Sequence, residues 1–158
     1  MPGFAIEEEG SNSSRAQTCQ TVLSQHADLV TQMSALRSDA RGVLAGVEGA
    51  VRSLRARLDG ACASFSRHLA FEDAALAPLV ERASVRAAEH LERMRADHAR
   101  QRELIASIAP HRARAMAADE LANRSLAFAS FLEADMIDEE RLLLSVQPNL
   151  LMPDEAIG

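Results

Sequence analysis

Lysine, tryptophan and tyrosine are all missing from this 158-residue chain. With no Trp or Tyr and only five Phe, stacking platforms for nucleic-acid bases are excluded, and so are tyrosyl radicals and tyrosinate ligands. Every basic side chain is an arginine, and the net charge is −6, which argues against attraction to nucleic acid or to an anionic membrane surface. Seven Gly and five Pro are too few for a turn-dense all-β fold. Two cysteines, Cys19 and Cys62, do not make a disulfide scaffold and are expected as reduced, buried thiols. No apolar run approaches the roughly 20 residues that span a bilayer. The start, with Glu7, Glu8 and Glu9, lacks the basic and apolar segments of a secretory signal, so a cytoplasmic protein is expected. No glycine-rich phosphate loop and no Ser-His-Asp or Cys-His nucleophile arrangement is present.

What is present favours helix. Hydrophobic residues make up 47% and charged residues 25%, and Ala, Leu, Arg and Glu dominate. The length fits one domain at roughly 100–200 residues each. It is expected over residues 14–150, between an acidic tail at 1–13 and a second tail at 151–158. Ser14-Arg15-Ala16-Gln17 has capping-box spacing and predicts the start of a first helix, with an apolar face through Cys19, Leu23, His26, Val30 and Met33. Gly42, Gly46 and Gly49 predict a loop. A second helix carries Val51, Leu54, Leu58, Cys62, Phe65, His68, Glu72 and Leu76, in the three- and four-residue steps of a core-facing stripe, and Pro78 should end or kink it. A third starts near Ser84 and carries Leu91, Met94, His98, Gln101, Ile105 and Ile108. Residues 110–118 form a connection or a kinked extension. A fourth, with Asp119 as its cap, carries Leu121, Ser125, Phe128, Leu132, Asp135, Glu139, Leu142 and Val146. Four long amphipathic helices predict an all-α, up-down-up-down four-helix bundle.

Each stripe contains something ionisable: His26, then His68 with Glu72, then His98, then Asp135 with Glu139. His68/Glu72 and Asp135/Glu139 are spaced i,i+4 and project from one face on adjacent turns. Antiparallel packing brings these residues level. His68 and His98 lie symmetrically about position 83, His98 and Asp135 about position 116 to within one residue, and His26 and His68 about Val47. Each pair has a plainer reading, since i,i+4 ion pairs are common on surfaces and Asp138-Glu139-Glu140 also reads as a solvated acidic run. Coincidence on four helices is what the plainer reading must assume. Three carboxylates in one dry layer repel one another and lose hydration worth at least several kcal/mol each, which bound cations relieve. Mixed imidazole and carboxylate donors suit iron or manganese better than a structural zinc. His90 competes with His98, and Glu140 with Glu139, for the same roles. Met33, Met94 and Cys62 read as packing.

The segment His68-Leu-Ala-Phe-Glu72, followed by Leu76 and Pro78, resembles the His-x-x-x-Glu motif and helix end of hemerythrin-like (HHE cation-binding) domains. His26, the Asp97-His98 pair and Asp135-Met-Ile-Asp-Glu139-Glu140 are similar to the other motifs of that family, in order, over about residues 15–147. The resemblance implies a non-haem centre of two iron ions of the Fe-O-Fe type, with manganese or zinc as alternatives. Glu72 and Glu139 would bridge, and His26, His68, His98 and Asp135 would be terminal ligands. Asp135 stands where the family has a His, and Arg102 stands where oxygen carriers have a second His on the third helix. A site poorer in nitrogen should favour oxidised metals over reversible dioxygen binding.

The expected function is therefore binding of, or reaction with, dioxygen, peroxide or a similar small oxidant, in sensing or detoxification, with oxidase- or peroxidase-like turnover left open. The alternatives are an iron-buffering module without chemistry and a metal-free helical interaction domain.

Overall fold

The computed structural model describes residues 5–83 and 87–146. Four long rods make up the bundle, and no strand occurs among the described residues. The first is α1 (Ala5–Leu44). The second is continuous through α2 (Ala50–Phe71), one π-helical turn (Glu72–Leu76) and α3 (Ala77–Ala83). The third is α4 (Ala87–Ser107), and α5 (Pro110–Ala113) links it to the fourth, α6 (Ala118–Val146). The all-α bundle expected from the stripes is what forms, with α1 packed chiefly on α2 and α6 and α3 on α4. The start expected for the third helix at Ser84, and the tail at 151–158, lie outside the described residues.

Several boundaries differ from the sequence-based expectation. Ser14 caps nothing: α1 begins at Ala5, and the Ser14 carbonyl accepts a hydrogen bond from Thr18 Oγ1 at 3.1 Å within the helix. Glu7, Glu8 and Glu9 are good helix formers and carry charge of the sign that a helix N-terminus favours. The helix also runs through Gly42, and the turn starts later, where Gly46 (φ 71°) and Gly49 (φ 78°) take left-handed conformations that side chains resist. Pro78 does not end the second rod. The ladder widens just before it, with the Ala77 N–H bonding the Glu72 carbonyl five residues back, and the π turn takes up the disturbance that the proline ring causes. The 110–118 segment is one short helix and a turn, and α6 starts one residue before Asp119, which lies in its first turn.

Two apolar clusters fill the bundle. The larger, towards the α1–α2 loop, includes Met33, Leu36, Leu54, Leu58, Phe65, Phe128 and Leu132. The smaller, at the other end, holds Cys19, Val22, Leu76, Val80, Leu91, Met94 and Leu143. Both cysteines are free and buried, one in each cluster, and burial pushes the Cys62 thiol up to about 11. Along every rod an ionisable residue lies between these clusters: His26 follows Val22 and precedes Leu29, Glu72 lies between Leu69 and Leu76, His98 between Met94 and Ile108, and Glu139 between Met136 and Leu143. A polar layer is thus clamped between two dry ones. In α6 the buried row runs Leu132, Met136, Leu143, so Asp135 falls about 100° around the helix from Met136, towards the rim. In α1 the row takes Leu29 and leaves Val30 45% exposed.

Candidate metal centre

Four rods deliver five side chains to the polar layer. His26, His68, Glu72 and Glu139 each offer a donor atom, and these atoms lie within 4.8 Å of one another. The rings of His26 and His68 meet edge to face with centroids 4.9 Å apart. His26 Nε2 is 3.2 Å from Glu139 Oε2 and 3.8 Å from Glu72 Oε1. His68 Nε2 is 3.3 Å from Glu72 Oε1 and 3.9 Å from Glu139 Oε2. His98 approaches from the opposite side, with Nε2 3.1 Å from Glu72 Oε2 and 3.8 Å from Glu139 Oε1. Each central carboxylate therefore turns one oxygen to the His26/His68 pair and the other to His98.

The outer nitrogens are held as firmly as the inner ones are free. His68 Nδ1 donates to Gln25 Oε1 at 2.8 Å, His98 Nδ1 to Asp73 Oδ1 at 2.7 Å, and His26 Nδ1 to Glu140 Oε1 at 3.1 Å. These oxygens only accept, so Nδ1 keeps a proton, and when the imidazole is neutral the Nε2 lone pair faces the centre. Acceptors behind each imidazole are the arrangement that orients metal-binding histidines. Asp73 is in turn paired with Arg102. Glu72 and Asp73 are consecutive in the π turn, and between them they meet both nitrogens of His98.

The inner atoms do not satisfy one another. Glu72 is fully buried and neither of its oxygens has a hydrogen-bond partner; Glu139 Oε2 and the Nε2 atoms of His26, His68 and His98 are likewise buried and unpartnered. Such groups cost free energy unless something polar or charged meets them. Without a cation the proton serves as counter-ion. Burial opposes a charged His26, but Glu139 and Glu72 outweigh it and raise its pKa to about 10. His98 is likewise raised to about 10, with Glu139, Glu72 and Asp73 overcoming burial. Glu139, despite burial, is held far below the usual carboxylate range by the three imidazoles. Six orphaned donor atoms of imidazole and carboxylate type, converging with fixed outer nitrogens, fit a pair of hard or borderline cations.

Asp135 does not join this group. Its Oδ2 accepts a hydrogen bond from Gln101 Nε2 at 2.9 Å, and burial raises its pKa while Gln101 opposes the shift. His90 also stays apart, half-buried beside Met94, Asp97, Asp135 and Glu139 in a cavity of about 450 Å³ between α4 and α6. Glu140 stands behind His26 and not beside Glu72, and Arg102 faces Asp73. The supporting residues Gln25, Asp73 and Glu140 were missed as a set by the stripe reading. The available signal was adjacency, since each neighbours a residue in a stripe.

The hemerythrin HHE cation-binding domain family matches residues 19–146, and the chain belongs to that family. Neither the curated proteins nor the solved structures contain a match. Family and cluster together make this a metal-binding domain.

Proposed function

We propose that this domain holds two iron ions and binds or reacts with dioxygen, peroxide or a similar small oxidant. The observation that carries the reading is the set of buried, unpartnered atoms from Glu72, Glu139, His26, His68 and His98. Glu72 and Glu139 would bridge the ions, His26 and His68 would complete one position, and His98 would serve the other. Iron would supply the electrons for reducing an oxidant. The chain's own contribution is to fix the imidazoles through Gln25, Asp73 and Glu140 and to exclude water with apolar layers above and below. Glu139, one of the carboxylates that would hold the ions, also lines the cavity of about 450 Å³ between α4 and α6, and His68 lines a smaller one of about 220 Å³. Manganese or zinc would fit the same donors less selectively. No helix among the described residues is long and apolar enough to cross a membrane.

Anaerobic loading with ferrous iron, followed by dioxygen or peroxide, tests the reading. About two irons per chain and a rapid rise of near-ultraviolet absorbance on oxidation are expected. Bound iron that stays inert would instead support buffering, and a chain that takes up no metal would support a helical interaction domain.

A further inference from the structure

The two metal positions implied above are unequal in donors. The first draws on two imidazoles and two carboxylate oxygens, the second on one imidazole and two carboxylate oxygens. Gln101 is the next buried residue after His98 on the same face of α4, at i+3, and it is fully buried. Its amide nitrogen is committed to Asp135, which lies one turn from Glu139 on α6. Its amide oxygen is buried and has no hydrogen-bond partner. A carboxylate accepts and does not donate, so the amide must turn its NH₂ to Asp135 and its oxygen away from it. An orphaned, buried carbonyl oxygen one turn from His98 on the same face of α4 is a neutral hard donor of a kind iron and manganese accept.

The geometry points to Gln101 Oε1 as the fourth protein donor of the second position, with Asp135 as the positioning residue that sets the amide's orientation. This rests on the two-metal reading of the site. It gives Asp135 a part in the centre without direct contact, and it makes the donor set of the second position neutral at one corner.

Anaerobic titration with ferrous iron, followed by Mössbauer spectroscopy and calorimetry, tests the assignment without any turnover. The parent chain should bind about two irons with two resolved quadrupole doublets. Gln101→Leu should keep the first iron and weaken the second by about tenfold or more, altering one doublet and sparing the other. Gln101→Met, close in shape, should do the same and guards against a packing defect, with metal-free thermal melting as the check on folding. Asp135→Asn keeps an oxygen to accept from the amide and should retain the second iron, whereas Asp135→Leu should weaken it. Exchanging the pair, Gln101→Glu with Asp135→Asn, should restore it. If both Gln101 variants bind two irons with parent affinity and unchanged doublets, or lose both irons equally, the assignment is wrong while the two-metal reading stands. A parent chain that takes up fewer than two irons overturns that reading and this assignment with it.

Discussion

On one side of the buried layer, imidazoles from α1 and α2 meet one oxygen of each central carboxylate; on the other, a single imidazole from α4 meets the remaining two oxygens. Both sides have their outer nitrogens secured, by Gln25 and Glu140 on the first and by Asp73 with Arg102 on the second. The carboxylates serve the two sides alike because each turns one oxygen to either side. The imidazole count does not, since α1 and α2 each contribute one and α4 contributes the only other. Asp135, on the α4–α6 side, lines the 450 Å³ cavity and is tied to Gln101. Open space flanks both sides, since His68 and Gln25 line a smaller cavity of about 220 Å³; the larger one lies with α4 and α6, and under the proposed function we place encounter with an oxidant on that His98 side.

The most damaging single change should be at Glu72, which belongs to both sides. Glu72→Gln should abolish binding of both ions and with it the stabilisation that metal gives, about 2.7 kcal/mol at a free metal concentration 100 times the dissociation constant. Metal analysis and paired melting curves with and without iron check this; two irons retained with an undiminished melting shift would remove Glu72 from the centre. Next come the single imidazoles, which divide the sides. His68→Ala should leave an iron on the His98 side, and His98→Ala should leave one on the other. Only the His98→Ala protein should lose rapid oxidation by peroxide, measured by stopped-flow absorbance. Equal loss in both would erase the proposed division of labour.

Smaller effects should follow from the supporting residues. Asp73→Ala should weaken the His98-side iron about 10–100-fold, and Gln25→Ala should weaken the other side, because each removes the acceptor that orients a ligand. Calorimetric titration would show which of two binding steps moves. Arg102→Ala should cost least, under about 1 kcal/mol of stability, because its pair with Asp73 lies at an exposed position.

Acidity also separates the metal-free from the loaded protein. Folded-state values of about 10 for His26 and His98 lie above their unfolded value near 6.5. Their contribution to stability is present in full below about pH 6.5 and is lost as the pH climbs through about 10. The depressed Glu139 contributes above its unfolded value and loses that contribution as the pH falls further. Metal-free protein should therefore melt at progressively lower temperature from pH 6.5 to 10. Iron should bind more tightly over the same range, because the imidazoles must give up protons to coordinate. A metal-free melting temperature that stays level across this window would contradict the pairing.

The bundle and the meeting of His26, His68, Glu72, His98 and Glu139 were legible in the sequence because both follow from periodicity. Stripes at three- and four-residue steps set the faces, and mirror positions about the turns set the levels. Asp135 shows where that reasoning fails: a stripe drawn through 132, 135 and 139 competes with one through 132, 136 and 139, and only packing chose Met136 for the interior. The π turn before Pro78 was hidden for a related reason. The apolar pattern continued to Val80 while the proline argued for an end or a kink, and a local widening of the helix accommodates both. Gln25, Asp73 and Glu140 lie off the stripes, where polar residues read as a solvated face. Their roles depend on which nitrogen of a neighbouring rod they reach.

An iron-edge anomalous difference map from crystals of the iron-loaded chain bears most directly on the centre. Two peaks roughly 3.5–4 Å apart are expected, both touching Glu72 and Glu139, one beside His26 and His68 and the other beside His98. A single peak, or iron held at surface carboxylates away from this layer, would contradict it.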